Sequence, residues 1–322
     1  MYNTYQWGEI MDKVNLRIVF MGTPSISAYV LEELIKNGYN IVGVVAQEDK
    51  PVGRKKIIVP VPTKEVALKY NIPIFQPIKI RKDYQFLIDI NPDIIITLAY
   101  GQIVPQAVLH LPRLGCLNLH GSLLPKYRGA APIQYALINN EKVTGMTLME
   151  MTKEMDAGRM YGKKELTIED DDNSTSLFEK MAVVAKDLIL ELLPLYVDGK
   201  LTGIPQDESL VSFAPSIKPE EEKLNLDDSI DKILGYIRAL SEEPGAYLNS
   251  IEGKLKIFKA KKYSEDTSHE IGEIISMDKK GFLLQVKGGV ISLLEVQKEG
   301  KKKMDAPSFI NGNKHLLGSH LS

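Results

Sequence analysis

Apolar residues fall into two rhythms along this chain, and the place where one gives way to the other divides it. Leu16-Arg17-Ile18-Val19-Phe20-Met21-Gly22 is a compact apolar run of strand length. Thr23-Pro24-Ser25 turns the chain, after which Tyr29, Leu31, Leu34 and Ile35 recur at helical intervals. Ile41 to Val45 predicts the next strand, and Pro62 opens another helix, where its missing N–H is harmless in the first turn. Further strands are predicted from Ile94 to Tyr100, from Cys116 to His120 and from Gly145 to Met149. Strands separated by helical stretches imply a mostly parallel, Rossmann-like α/β sheet with right-handed crossovers. Ser176 to Glu179 has capping-box spacing, and Leu177, Met181, Val184, Leu188 and Leu192 mark one face of a helix expected to end before Pro194.

The second rhythm begins after a polar, turn-rich stretch from Gly199 to Glu208, which reads as a linker. Ile230, Ile233, Leu234, Ile237 and Leu240 predict one amphipathic helix. Short strands follow: Lys254 to Phe258, Ile271 to Met277, Phe282 to Val286 and Val290 to Val296, with Lys287-Gly288-Gly289 as a tight connection. Short strands with glycine turns predict a smaller OB-like open β-barrel domain. The expected division is therefore an N-terminal extension over residues 1–15, a larger domain with its linker over 16–208, and a C-terminal β-barrel domain over 209–322.

Composition changes this picture little. Among 322 residues, 40 basic side chains stand against 42 acidic ones, a balance that neither announces nor excludes a polyanionic partner. A single cysteine, Cys116, forbids an internal disulfide, and together with the absence of a secretory pattern in residues 1–15 it points to the cytoplasm. No stretch reaches the apolar length of a membrane helix, so no membrane partner is expected, and a monomer is the default. The first strand–helix turn, Gly22-Thr23-Pro24-Ser25, lacks a G-x-G-x-x-G or Walker A pattern, which argues against dinucleotide or ATP binding there.

The chemistry concentrates in Asn118-Leu119-His120-Gly121-Ser122-Leu123-Leu124-Pro125-Lys126-Tyr127-Arg128-Gly129. Asn118 and His120, two apart in a strand, project to one side above a loop restricted by Gly121 and Pro125. An amide donor and an imidazole placed together suit stabilisation of an oxyanion and transfer of a proton. Asp156, in Met155-Asp156-Ala157-Gly158, is a third candidate, as a turn cap or as a carboxylate behind the imidazole. No histidine cluster at metal-ligand spacing accompanies them, so no metal is expected. Ser122 lacks a G-x-S-x-G elbow and is expected to cap its loop, while Cys116 is expected on the core side, opposite Asn118. Separately, Arg54-Lys55-Lys56 crowds three positive charges into a glycine- and proline-flanked loop. Lys254, Lys256, Lys259, Lys261, Lys262, Lys301-Lys302-Lys303 and Lys314 are spread over the second domain.

Asn118-x-His120-Gly121-Ser122-Leu123-Leu124-Pro125 with Met155-Asp156-Ala157-Gly158 resembles the folate-dependent formyltransferase family, over about residues 12 to 322. The resemblance implies transfer of the formyl group of 10-formyltetrahydrofolate, a cosubstrate, to the α-amino group of methionyl initiator tRNA at the start of protein synthesis. It places the catalytic roles on Asn118, His120 and Asp156. It also implies folate contacts at Leu98, Ala99, Tyr100 and Gly101 and at Ser122, Leu123, Leu124, Pro125, Lys126, Tyr127, Arg128 and Gly129. It assigns tRNA contacts to Arg54, Lys55, Lys56, Lys254, Lys256, Lys301, Lys302 and Lys303, and makes the C-terminal domain the tRNA-binding one. Two departures bear on the acceptor. Glu242-Glu243 stands in a segment that is aromatic and proline-rich in the family, where exposed acids would repel phosphate. Arg159 stands where many relatives have an acid. Formyl transfer to a sugar or small-molecule amine would use the same three residues, and a noncatalytic RNA-binding adaptor would use only the lysines.

Overall fold

A computed structural model describes residues 15–52, 57–278 and 281–322. The alternating front half forms β1 (Ile18–Gly22), β2 (Ile41–Val45), the hairpin β3 (Lys50–Val52) and β4 (Ile57–Val59), β5 (Ile74–Phe75), β6 (Ile94–Leu98), β7 (Cys116–His120), β8 (Val143–Glu150) and β9 (Met160–Thr167). The main sheet runs in the order β5-β2-β1-β6-β7-β8-β9. β1 pairs parallel with β2 and β6, and β6 parallel with β7, whereas β7 meets β8 antiparallel. The chain winds outward from β1 to β5 and then returns to place β6 on the other side of β1. That reversal is the kind of switch point where such sheets leave a crevice at their carboxyl ends. Buried Val19, Met21, Val45, Ile95, Val108 and Cys116 share one core cluster of this sheet.

Helices form where the apolar spacing predicted them, with informative exceptions. In helix Ser25–Lys36 the inward residues include Ile26, Val30, Leu31 and Leu34, while Tyr29 is exposed. The long helix Ser174–Val197 buries Leu177, Met181, Val184, Leu188 and Leu192 as expected, but both of its ends differ. The reciprocal cap lies three residues upstream of the expected box: Ser176 N donates to Asn173 Oδ1 at 3.0 Å, and Asn173 N to Ser176 Oγ at 3.1 Å. The helix also continues through Pro194. A proline in the last turn removes one backbone donor while leaving its own carbonyl free, and Asp198 N uses that carbonyl at 3.0 Å. Cys116 is buried, but it has the strand parity of Asn118, so the expected opposite orientation is wrong. It is buried because helix Gln106–Leu109 covers the start of β7, where the Cys116 thiol faces the Val108 and Leu109 carbonyls.

The chain divides into two compact units, one of Met1–Ala130, Thr144–Leu166 and Phe178–Phe213, the other of Ala131–Val143, Thr167–Leu177 and Ala214–Ser322. The change after Phe213 lies beyond the expected boundary at 208, and two earlier segments join the C-terminal unit. A linear reading of composition registers no such return, because those segments carry ordinary helix and loop sequence. The second unit holds β10 (Ala246–Ser250), β11 (Gly253–Ser264), β12 (Ile274–Asp278), β13 (Gly281–Val286), β14 (Gly289–Lys298) and β15 (Met304–Asp305). They form an antiparallel sheet in the order β10-β11-β14-β13-β12, with β15 on β14. β10 was not foreseen, because its five residues, Ala246-Tyr247-Leu248-Asn249-Ser250, are too short and mixed a stretch to stand out as a strand. β12 begins at Ile274 rather than Ile271.

Helix Ile230–Ala239 turns Ile233 and Ile237 onto this sheet's core beside Leu248, Ile257, Phe282, Ile291 and Phe309. Its Gly235 packs against the backbone of helix Pro132–Ile138, where a Cβ would stand 2.4 Å from Leu137 O and 2.8 Å from Ile138 O. Carbonyls in a helix do not yield as a side-chain tip does. Gly235→Ala is therefore expected to destabilise the unit by about 1–3 kcal/mol, the scale of overpacking. Gly312, in helix Ala306–Asn313 with nothing near its Cβ position, is the control, and Gly312→Ala should gain about 0.5–1 kcal/mol. Thermal unfolding of both variants checks the pair; equal shifts would contradict the close helix contact.

Candidate active site

β7 sits inside the sheet between β6 and β8, and its carboxyl end carries the predicted amide and imidazole on one face. His120 is buried, and its ring lies between two acceptors. Nε2 donates to the Tyr127 carbonyl at 2.8 Å, and Nδ1 lies 3.6 Å from Asp156 Oδ1. A carbonyl oxygen only accepts, so this contact assigns the proton to Nε2 and leaves Nδ1 turned toward the carboxylate. The Nδ1 distance is ion-pair range and longer than a direct hydrogen bond. Asn118 is half-buried, and among the described residues its side-chain amide has no hydrogen-bond partner. Its register partner on β6 is Thr97, whose buried Oγ1 is also unpartnered. Paired residues of neighbouring strands share a face, so two unsatisfied polar groups stand side by side at the end of β6 and β7.

The loops around His120 are backbone-strained in a consistent way. Positive φ occurs at six non-glycine residues. Asn71, Asn91, Asn140 and Asp156 are of types that tolerate it, while Ala99 and Tyr127 are not; Ala99, Tyr127 and Asp156 all lie in the predicted site segments. Such a residue costs about 1–3 kcal/mol and persists only where its surroundings hold it. Asp156, at φ 52°, is held by its Oδ2 accepting from Gly129 N at 2.9 Å. Two residues on, a Cβ on Gly158 would lie 1.9 Å from Glu150 O, so only glycine lets this turn settle on the end of β8. That explains the glycine of the Asp156 motif.

Ser122 is fully buried, and its Oγ donates to Lys126 O at 2.6 Å, a loop cap as expected. Thr147 on β8 donates to Ser122 O at 2.6 Å and accepts from Leu124 N at 3.2 Å, and Lys163 donates to the Leu124 carbonyl. Burial pushes the Cys116 thiol up to about 12, which keeps it from acting as a thiolate nucleophile. Of the predicted folate segment on β6, the Leu98 and Tyr100 side chains are core residues, while Ala99 and Gly101 are exposed. The Tyr100 carbonyl is fixed by Thr23 Oγ1 and by Gln47 Nε2, each at 3.1 Å. In the second segment Leu124, Tyr127 and Arg128 are buried with Ser122, whereas Lys126 is exposed. Among the described residues no group of three or more His, Cys, Asp or Glu side chains is placed to hold a metal ion.

Sequence reasoning missed Gln206 and Ser212, both in or beside the stretch read as a linker. Gln206 Nε2 donates to Asp156 O at 2.7 Å and Gly158 O at 2.9 Å, and Ser212 Oγ accepts from Tyr127 N at 3.0 Å. A polar residue in a turn-rich stretch gives no sequence signal of such a contact. Arg159, the departure after Gly158, donates to Gly203 O at 3.2 Å.

The predicted cationic contacts fare unequally. Arg54, Lys55 and Lys56 lie outside the described residues; the β4 strand beside them exposes Ile57 and Ile58. In the second unit Lys301 and Lys302 are exposed and enter no ion pair among the described residues. Lys254 stacks over the Tyr247 ring at 4.1 Å, and Lys256 donates to Pro244 O at 2.5 Å. Lys303 is engaged by Glu242 at 2.7 Å and Glu295 at 3.3 Å. The acid expected to repel phosphate is thus partly neutralised by one of the lysines expected to attract it.

A Rossmann-like sheet with an amide and a buried imidazole at the end of an inner strand, followed by a separate antiparallel unit, defines a two-part α/β protein. Residues 16–193 match the formyl transferase family, and residues 216–314 match the formyl transferase C-terminal domain. A methionyl-tRNA formyltransferase of Ligilactobacillus salivarius is 44% identical over 92% of this chain and 94% of its own length. Another, of Dictyoglomus thermophilum, is 44% identical over 94% of this chain and 99% of its own length. The chain belongs to the methionyl-tRNA formyltransferase family, an enzyme family of formyl-group transfer. Solved structures share the fold. An N-formyltransferase from Helicobacter canadensis in complex with folinic acid and dTDP-3-aminofucose superposes with a TM-score of 0.64 at 18% identity, over 86% of this chain and 99% of that one. HypX from Aquifex aeolicus in complex with tetrahydrofolic acid gives 0.60 at 19% identity over 92% of this chain, which spans about half of HypX, 47%. No helix among the described residues is long and apolar enough to cross a membrane.

Proposed function

We propose that this chain transfers the formyl group of 10-formyltetrahydrofolate to the α-amino group of methionyl initiator tRNA, in the cytoplasm. The observation that carries the reading is the Asn118 amide, unpartnered among the described residues, beside a histidine held between a carbonyl and a carboxylate. The neutral acceptor amine attacks the formyl carbon, forming a C–N bond and an oxyanion. The Asn118 amide, with no partner among the described residues to give up, donates to that oxygen. His120 takes the amine proton at Nδ1, since Nε2 already donates to the Tyr127 carbonyl. The resulting imidazolium has an acceptor at each nitrogen, Tyr127 O and Asp156, which stabilises the charge as it forms. Breakage of the bond to the folate nitrogen then returns the proton to the leaving group. The folate lies along the carboxyl ends of β6 and β7, where the Ala99 and Gly101 backbone and the loop after His120 are accessible.

The acceptor end is assigned to tRNA on the basis of the family relationship and of the free cations Lys301 and Lys302, with Arg54, Lys55 and Lys56 as further phosphate contacts. The test gives the purified chain 10-formyltetrahydrofolate with methionyl initiator tRNA, methionyl elongator tRNA, free methionine and a nucleotide-linked amino sugar in parallel. Formylmethionyl initiator tRNA should dominate, and its KM should rise with salt as counterions compete for the lysines. Formylation of the amino sugar or of free methionine at an equal rate would refute the acceptor assignment.

A further inference from the structure

Both acceptors around the His120 ring come from residues with left-handed backbone, Tyr127 at φ 64° and Asp156 at φ 52°. A tyrosine does not favour this conformation by residue type, an aspartate tolerates it, and their loops are far apart in sequence. One segment grips both. Ile204 pairs with Met160, and from there to Phe213 the chain lies along the two loops. On the Tyr127 side, Tyr127 N donates to Ser212 Oγ at 3.0 Å and Arg128 N donates to Ser212 O at 2.9 Å. On the Asp156 side, Gln206 gives its two amide hydrogens to Asp156 O at 2.7 Å and Gly158 O at 2.9 Å. The two arms are joined, because Arg128 Nε donates to Gln206 Oε1 at 2.9 Å. The Arg128 guanidinium, 7% exposed, is closed on its outer side by Glu208, with Nη2 to Oε1 at 2.8 Å and Nη1 to Oε2 at 3.3 Å.

We infer that the segment from Ile204 to Phe213 is a positioning strap for catalysis, in which Gln206, backed by Arg128, sets the Asp156 carboxylate against His120 and Ser212 sets the Tyr127 carbonyl. Gln206 is suited to this by its amide. It offers two donors to two carbonyls and one acceptor to a cation, so every polar atom is used and the orientation of the amide is fixed. A glutamate of the same shape would keep the acceptor for Arg128 and lose both donors. None of these residues touches the reacting atoms; they act through the backbone of Asp156 and Tyr127. Misplacement of a catalytic group by about 1 Å can cost 10²-fold in rate, and loss of a supporting partner typically costs about 10–100-fold.

The inference rests on His120 and Asp156 being the working pair, and the experiment separates the two. Steady-state formyl transfer by the full chain is measured for wild type, Gln206→Glu, Asp156→Asn and the double variant, with thermal unfolding alongside. Gln206→Glu should lower kcat by about 10–100-fold with KM for donor and acceptor within about threefold. In the Asp156→Asn background the same change should cost less than about threefold, because the group it positions has been neutralised. A merely structural role would lower both backgrounds alike. Full turnover by Asp156→Asn alone would remove the working pair and the strap with it. Reduced turnover by Asp156→Asn with unchanged kcat in Gln206→Glu, or equal losses in the two backgrounds, would overturn the strap alone. If Gln206→Glu does not fold, Ser212→Ala, which deletes the acceptor for Tyr127 N, takes its place in the same cycle against His120→Ala.

Discussion

Asn118→Ala is expected to lower kcat for formyl transfer by about 10²–10³-fold, the scale of removing one donor from an oxyanion site, equivalent to about 2.7–4 kcal/mol. The size follows from where the amide sits. β7 is hydrogen-bonded to β6 on one side and β8 on the other, so the backbone under Asn118 is fixed before substrate arrives. Because no group among the described residues occupies the amide, none of its interaction with them is spent in the ground state. The loss should therefore appear in kcat, with KM little changed. For the same reason thermal unfolding should hardly move. Asn118→Asp keeps the shape but offers the oxyanion only acceptors when ionised, so it should be at least as slow as alanine. Wild-type kcat in either variant at saturating substrates would refute the role.

His120→Ala should lower single-turnover transfer by about 10²–10⁴-fold, the usual range for a positioned acid–base group. It should also cost stability, in contrast to Asn118→Ala. Truncation leaves the buried Tyr127 carbonyl without its 2.8 Å partner, and an unpaired buried acceptor costs about 1–3 kcal/mol. The two effects are separable: added imidazole should raise the rate in proportion to its concentration if the missing function is proton transfer. A variant with a lowered melting temperature and undiminished turnover would show that His120 holds the loop and nothing more.

Much of this was legible in the chain. The apolar runs located β1, β2, β6 and β7, because buried strands of a parallel sheet need little beyond continuous apolar residues of the right length. The spacing of Asn118 and His120 put both on one face, because strand side chains alternate. The gap at the far side of the site has an equally physical cause. Gln206 and Ser212 act through single hydrogen bonds to backbone groups, and a backbone group has no residue type for a pattern to register. The same holds for the fate of charges: Lys303 and Glu242 read as opposed influences on phosphate until folding set them 2.7 Å apart.

By itself the sequence determined the alternating sheet, the second β unit, the amide–imidazole pair and the motif around Asp156, since each rests on short-range periodicity or a local run of residues. The tertiary structure alone decided which acceptors flank His120 and which of its nitrogens faces a carbonyl and which a carboxylate. It also decided that a stretch resembling a linker holds both the Tyr127 and the Asp156 loops. Those features depend on distances between segments remote in the chain, and only the folded backbone, with its left-handed residues at Tyr127 and Asp156, sets them.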